Sequence, residues 1–251
     1  MIRALVLLVL AALPARAEEV VAGLSQTRVS ITANFDGSEI LVFGAVKRDT
    51  PPPEGPPLEV IVTVIGPATP VNVRRKSRVF GIWVNTEAVE IDTAPRFYAI
   101  ATTAPLFDIL SHTEDLRHRI SIPQGIRSVG APPEVADAAR FSDALIRLRQ
   151  ASGHYRVDAG DVGLTEDTLF HASFQLPANL TEGNYTVRIF LTRGREVIDH
   201  QVALIDVRKV GLEWFLYTLA HERPLAYGML ALALALLAGW GASAAFRFIR
   251  T

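Results

Sequence analysis

The densest polar cluster in this sequence is His112-Thr113-Glu114-Asp115-Leu116-Arg117-His118. Two imidazoles and two carboxylates are groups that hold a metal ion or move protons. A helical zinc pair, however, places its histidines at i and i+4, a spacing this stretch lacks. Metal-dependent or hydrolytic chemistry through His112, Glu114, Asp115 or His118 is one reading, and a solvated helix end is the simpler one. The remaining histidines, His154, His171, His200 and His221, are scattered. There is no Gly-rich phosphate loop, no Gly-x-Ser-x-Gly elbow and no Ser-x-x-Lys. Cysteine is absent, which removes thiol nucleophiles, thiolate metal sites, covalent haem attachment and disulfides. The expectation is a protein with no catalytic, metal or cofactor site, and so not an enzyme.

A second stretch has binding rather than catalytic character. Arg74-Arg75-Lys76-Ser77-Arg78 runs into Phe80-Gly81-Ile82-Trp83-Val84-Asn85. Arg74, Arg75, Lys76, Arg78 and Trp83 together form a candidate ligand or partner surface for anionic lipid, an acidic partner or an oxyanion. The competing reading is a solvated turn leading into a core strand with Trp83 buried. Across the whole chain 26 acidic residues balance 25 basic ones, so no general field draws it to nucleic acid.

These residues sit in a chain with two apolar ends. Met1-Ile2-Arg3, an apolar run from Ala4 to Leu13 and Pro14-Ala15-Arg16-Ala17 describe a secretory signal peptide over 1–17. The expected cleavage follows Ala17. Leu225 to Phe246 carries no charge and is long enough to cross about 30 Å of hydrocarbon. The organisation expected is a periplasmic domain over 18–208, a juxtamembrane amphipathic helix over 209–223, a transmembrane helix over 224–246 and a cytoplasmic tail over 247–251. Trp214 and Tyr217 are the expected interfacial anchors. Ala231, Ala235, Gly239 and Ser243 recur every fourth residue and give the membrane helix a narrow packing face.

The middle reads as a mainly β, immunoglobulin-like sandwich with a helical insertion at about 105–163. Asp36-Gly37 is expected to close a hairpin between Thr27–Ala33 and Glu39–Val46. Leu58–Ile65, Val71–Arg75, Val79–Val84 and Phe97–Thr102 are further strands, and Pro51 to Pro57 is a stiff loop between them. In the insertion, helical spacing appears over Pro105–His118 and Glu134–Gln150, the second with Val135, Ala138, Phe141, Leu145 and Leu148 on one face and Gly153 just beyond. Thr168–Leu176, Asn184–Thr192 and Glu196–Val207 complete the strands. Leu180-x-x-Gly183-x-Tyr185-x-Val187 is the pattern in which an immunoglobulin-like domain tucks a tyrosine into a corner.

Arg74-Arg75-Lys76, Gly81-Ile82-Trp83-Val84-Asn85, Phe97-Tyr98-Ala99-Ile100-Ala101, Gly183-Asn184-Tyr185-Thr186-Val187-Arg188 and Arg208-Lys209-Val210-Gly211-Leu212-Glu213 resemble a family of transmembrane proteins from alphaproteobacteria. The resemblance implies a Gram-negative host, and hence a periplasmic domain anchored in the inner membrane. It supplies no active site. The leading functional expectation is an accessory protein whose partners are the lipid bilayer and another membrane protein, such as a transporter, or a second copy of itself through the C-terminal helix. The alternative is a ligand- or oxyanion-binding module using Arg74, Arg75 and Arg78.

Overall fold

The computed structural model describes residues 18–32, 35–48, 51, 55–128, 137 and 139–249, without the side chains of 212–214 and 244–249. The segment expected to be a signal peptide, Ala33 of the first expected strand, Pro52 to Glu54, the first turn expected for the helix at 134, the Trp214 side chain and residues 250–251 of the expected tail lie outside the described residues. Strands dominate, and the helices are few. The chain divides into two compact units, Met1–Val29 with Asp36–Val207, and Ser30–Phe35 with Arg208–Thr251.

Among the described residues, twelve strands form three sheets. β1 (Glu18–Leu24), β3 (Ser38–Arg48), β10 (Leu169–Leu176) and β9 (Gly163–Thr165) pair in that order. A six-stranded sheet runs β2 (Arg28–Ile31), β12 (Glu196–Lys209), β11 (Gly183–Arg193), β4 (Leu58–Ile65), β7 (Tyr98–Thr102) and β8 (Tyr155–Ala159). β5 (Ala68–Val79) and β6 (Ile82–Pro95) pair only with each other.

Burial follows from these positions. β4 and β7 are almost wholly buried, as continuous apolar runs in the centre of a covered sheet should be. β10 alternates exposed and buried residues and so presents one face to the core. Across the interior β1 meets β11 and β10 meets β4. One ionic seam ties the layers together. The Glu18 carboxylate, with only 5% of its side chain exposed, accepts from Arg48 Nε at 2.6 Å and from Arg193 Nη2 at 3.0 Å. Nearby, the Val20 backbone N–H donates to Asp199 Oδ2 at 2.8 Å.

Two expectations about the early strands change. Asp36-Gly37 closes no hairpin, because β2 pairs with β12 while β3 pairs with β1 and β10. The segment is a crossover between sheets. Gly37, at φ +117°, is needed for close approach: a Cβ there would stand 2.6 Å from the Leu176 carbonyl oxygen. β1 itself escapes notice in the sequence, where the expected strands begin at Thr27.

The region between β7 and β8 is helical but more broken than its periodicity suggests. Leu106–Ile109 (α1) is a single turn, and Leu110 is extended. Ser111 then caps His112–His118 (α2), its Oγ accepting from the Glu114 N–H at 3.3 Å. Ile122–Gly125 (α3) is another single turn, and Ala139–Ala151 (α4) is the one long helix of the group. Phe141 and Leu145 on α4 pack with Val73, Val89, Ile91 and Ala94 from β5 and β6. Leu148, placed on the same face by its spacing, is 63% exposed. The helical stretch also ends earlier than expected, because β8 joins the six-stranded sheet parallel to β7.

Gly153 does terminate α4. It adopts φ +72°, and the N–H groups of His154 and Gly153 return to the carbonyls of Arg149 at 2.9 Å and Gln150 at 3.0 Å. This is a Schellman ending.

The second unit holds two helices. Leu212–Glu222 (α5) ends at Arg223, and Pro224–Ile249 (α6) begins with the proline at a position where its missing N–H costs little. Pro224–Ser243 has mean hydropathy 1.8 and no buried residues, and it is long and apolar enough to cross a membrane.

Candidate functional site

The basic stretch and Trp83 occupy the far part of a long two-stranded arm. β5 and β6 pair from Ala68↔Pro95 at the base to Val79↔Ile82 at the end. Only Phe80 and Gly81 join the strands, at φ +48° and +87°. Positive φ at both central residues matches the twist of the flanking strands and makes a tight hairpin turn. Val79–Val84 is therefore the tip of a hairpin and not one core strand. Trp83 is 69% exposed and Phe80 fully so, which corrects the reading that buries Trp83.

The pairing assigns a chemistry to each face. Directly paired residues share a face, and alternate residues along a strand do too. Arg74, Lys76, Arg78, Trp83 and Asn85 therefore lie on one side, and all of them are exposed. Val79, Ile82 and Val84 lie on the other, continuous with the tip. Among the described residues Arg74, Lys76 and Arg78 make no ion pair; Arg78 Nε donates to the Gly81 carbonyl at 3.3 Å.

Arg75 behaves differently from its neighbours. Its guanidinium pairs with Glu87, donates to Asp137 at 3.1 Å and lies 5.4 Å from the Phe141 ring centroid. The bond to Asp137, above all, raises its pKa and keeps it charged. Arg75 clamps the arm, just short of its bulge, to α4 and its approach, so it is committed to structure. Between Arg75↔Glu87 and Lys76↔Asn85 the register slips by one residue, leaving Thr86 as a bulge. Thr86 and Ser77 join their hydroxyls at 2.9 Å there.

The carboxylate–imidazole stretch is built into the fold. Asp115 is buried, and its carboxylate accepts from the N–H groups of Ile120 (3.1 Å) and Ser121 (2.7 Å) and from Ser121 Oγ (2.7 Å). Glu114 is also buried, pairing with Arg117 at 2.6 Å and lying 3.4 Å from His118 Nε2. His112 packs instead on Phe107, at 4.9 Å between ring centroids. Among the described residues no group of three or more His, Cys, Asp or Glu side chains could hold a metal ion.

His118 carries a pH signature. Desolvation first, then the charges of His200, Arg117 and Arg188, lower its pKa against the opposing pull of Glu114. The Phe190 ring also packs against it, at 5.7 Å. A histidine with a depressed folded pKa contributes stability above its ordinary value of 6.5, which is lost as pH falls through the folded value. Chemical denaturation between pH 7.5 and 4.5, a range of about three units around that value, should show stability declining with acid. His118→Gln should flatten that decline, and an unchanged slope would remove His118 from the account.

In the second unit Tyr217 is exposed and stacks on His221 at 4.1 Å. Ala231, Ala235, Gly239 and Ser243 lie along one side of α6, all exposed.

Residues 19–248 match a family whose description is "Putative transmembrane protein (Alph_Pro_TM)". The chain belongs to this family. Its members are transmembrane proteins by that description, in keeping with the one membrane-length helix found among the described residues. A comparison with curated protein sequences gives no match. Two solved structures are similar over 78% of the chain. One is a "putative beta-galactosidase from bacteroides fragilis" (13% identity, TM-score 0.29), of which the chain spans 18%. The other is Spo0M, a sporulation control protein from Bacillus subtilis (12% identity, TM-score 0.26), of which it spans 50%. Neither likeness carries weight at those TM-scores.

Proposed function

We propose that this protein is a non-enzymatic accessory protein of the inner membrane that docks on another membrane protein, such as a transporter, through the tip of the β5–β6 arm. The observation that carries this reading is the tip itself. Phe80 is fully exposed and also held at φ +48°, where a bulky L-residue is disfavoured. Exposure and strain together, in a residue that supports nothing in the core, point to a use outside the fold. Trp83 beside Arg78 adds the residue types enriched at the centres of protein interfaces.

The remaining parts of the proposal follow from the ends of the chain. Removal of 1–17 leaves the domain in the periplasm, α6 crosses the membrane once, and the C-terminus lies in the cytoplasm. Tyr217 and Trp214 mark the membrane surface, and the Ala231, Ala235, Gly239 and Ser243 face offers a second contact, with the partner or another copy. The domain is proposed to be immunoglobulin-like. In support, the Tyr185 hydroxyl donates to the Thr181 carbonyl, four residues upstream, at 2.9 Å, as a tyrosine corner does.

A photo-crosslinking residue in place of Phe80 or Trp83 should give one discrete protein adduct in native membranes, and the same residue in place of Val157 should not. Phe80→Asn creates Asn-Gly, the preferred pair for this turn, and should hold or raise stability by about 0.5–1 kcal/mol. The same substitution should abolish partner recovery. A Phe80→Asn protein that retains its partner, or tip probes that capture lipid alone, would sink the docking reading.

A further inference from the structure

Away from the arm, the first unit contains a polar cavity of about 260 Å³ where the end of α4, the start of β7 and the approach to β11 converge. Its floor includes Phe97 and Tyr185, with ring centroids 6.1 Å apart. Arg96, Arg149, His154 and Asn179 line it as well, and no carboxylate does among the described residues. Neither arginine makes an ion pair among those residues.

Local structure positions Arg149, His154 and Arg96. Arg149 lies in the last turn of α4, and the Schellman ending consumes its carbonyl while delivering His154 to the cavity. His154 Nδ1 is engaged by Ser152 Oγ at 2.9 Å, which leaves Nε2 without an assigned partner. Arg96 precedes β7; its backbone N–H donates to the Pro67 carbonyl at 2.9 Å and its Nε to Thr69 Oγ1 at 3.3 Å. That arrangement orients the guanidinium and spends one of its five donors. The Tyr185 hydroxyl donates to the Thr181 carbonyl at 2.9 Å, and both residues line the cavity.

Two guanidinium groups, an imidazole and an amide line this cavity with no carboxylate beside them among the described residues, and Arg96 and Asn179 reach it from the exposed surface, a lining complementary to an anion. Desolvation first, and then the charge of Arg149, lowers the pKa of His154. We propose that this cavity is a binding site for a small anion bearing a carboxylate or tetrahedral oxyanion group. Arg96 and Arg149 hold the charged oxygens, with His154 and Asn179 as further hydrogen-bonding groups. The volume lies below the roughly 300 Å³ at which drug-sized ligand pockets begin, and it and the polar lining favour a compact hydrophilic anion over an extended apolar one. The site is independent of the docking arm, and either can fail without the other.

The test uses the full-length protein purified in mild detergent, titrated calorimetrically with sulfate, phosphate and succinate at ionic strength held constant with chloride. At least one of the three should bind at millimolar or lower concentration, and the sulfate and phosphate arms against the succinate arm separate tetrahedral oxyanion from carboxylate. Arg96→Gln and Arg149→Gln should each weaken that binding about tenfold or more, the scale of one charge-assisted hydrogen bond. Arg74→Gln, on the arm, should leave it unchanged. The His154 imidazole, followed by NMR, should titrate at higher pH when the anion is bound. Should Arg149→Gln unfold the domain, Asn179→Ala and His154→Gln report on the same cavity from different segments. No binding by any of the three anions, or binding indifferent to Arg96 and the other lining residues, overturns the proposal.

Discussion

Asp115→Ala should lower the unfolding free energy by about 3 kcal/mol, as the removal of a buried carboxylate from several donors does. Asp115 is 3% exposed, and its carboxylate receives two backbone N–H groups and one hydroxyl from the segment that follows α2. Truncation leaves all three donors without their acceptor. Ile120 and Ser121 are buried, so water reaches these donors poorly, and the neighbouring α3 turn loses its anchor. Asp115→Asn keeps an acceptor for the backbone pair and should cost about half as much. Urea denaturation of the purified chain, followed by circular dichroism of the strands, measures both. An unshifted midpoint for the alanine variant would show that this carboxylate does not hold the turn.

Glu18→Ala should be at least as damaging, by about 3–5 kcal/mol, because it strands two buried charges where Asp115→Ala strands neutral donors. Arg48 and Arg193 keep only 10% and 14% of their side chains exposed and meet at the same carboxylate oxygen. Each carries charge that the removed group had balanced. β1 also loses its ionic link to β11 of the facing sheet. The same logic gives a contrasting control. Replacing Glu18, Arg48 and Arg193 together with apolar residues of similar size should recover most of the loss, since no charge is then left uncompensated. If the single variant and the triple variant prove equally unstable, packing rather than charge accounts for the seam.

What the sequence discloses about this fold divides along the range of the forces involved. Leu58–Ile65 reads as a strand because its own residues carry the signal, and Pro224 to Ser243 reads as a membrane-length helix for the same reason. Gly153 is legible as a helix stop, since the left-handed ending is a local requirement. The partner of β3 is not legible: Asp36-Gly37 has hairpin chemistry, and only the sheet arrangement decides that β2 turns away. The Phe80-Gly81 turn is hidden because phenylalanine is a poor residue for positive φ, so no local preference announces it. Among the candidate surface residues the sequence groups Arg74, Arg75, Lys76 and Arg78 as equals. Cross-strand register separates them, sending Arg75 to Glu87 and Asp137 and leaving the other three on the opposite face. Arg96 and Arg149 show no pattern at all in the sequence, since tertiary folding alone brings them to one cavity.

The Thr86 bulge has an evolutionary consequence. Towards the base, Val73, Val89 and Ile91 answer to Phe141 and Leu145, and a change in one demands a change in another. Beyond the bulge, the ten residues from Lys76 to Asn85 owe the core nothing. Selection can rewrite that distal segment at little cost to folding, so on the proposed docking role related chains can diverge in what they recognise while sharing one scaffold. Exchanging the segment between two relatives would then transfer specificity as a single module.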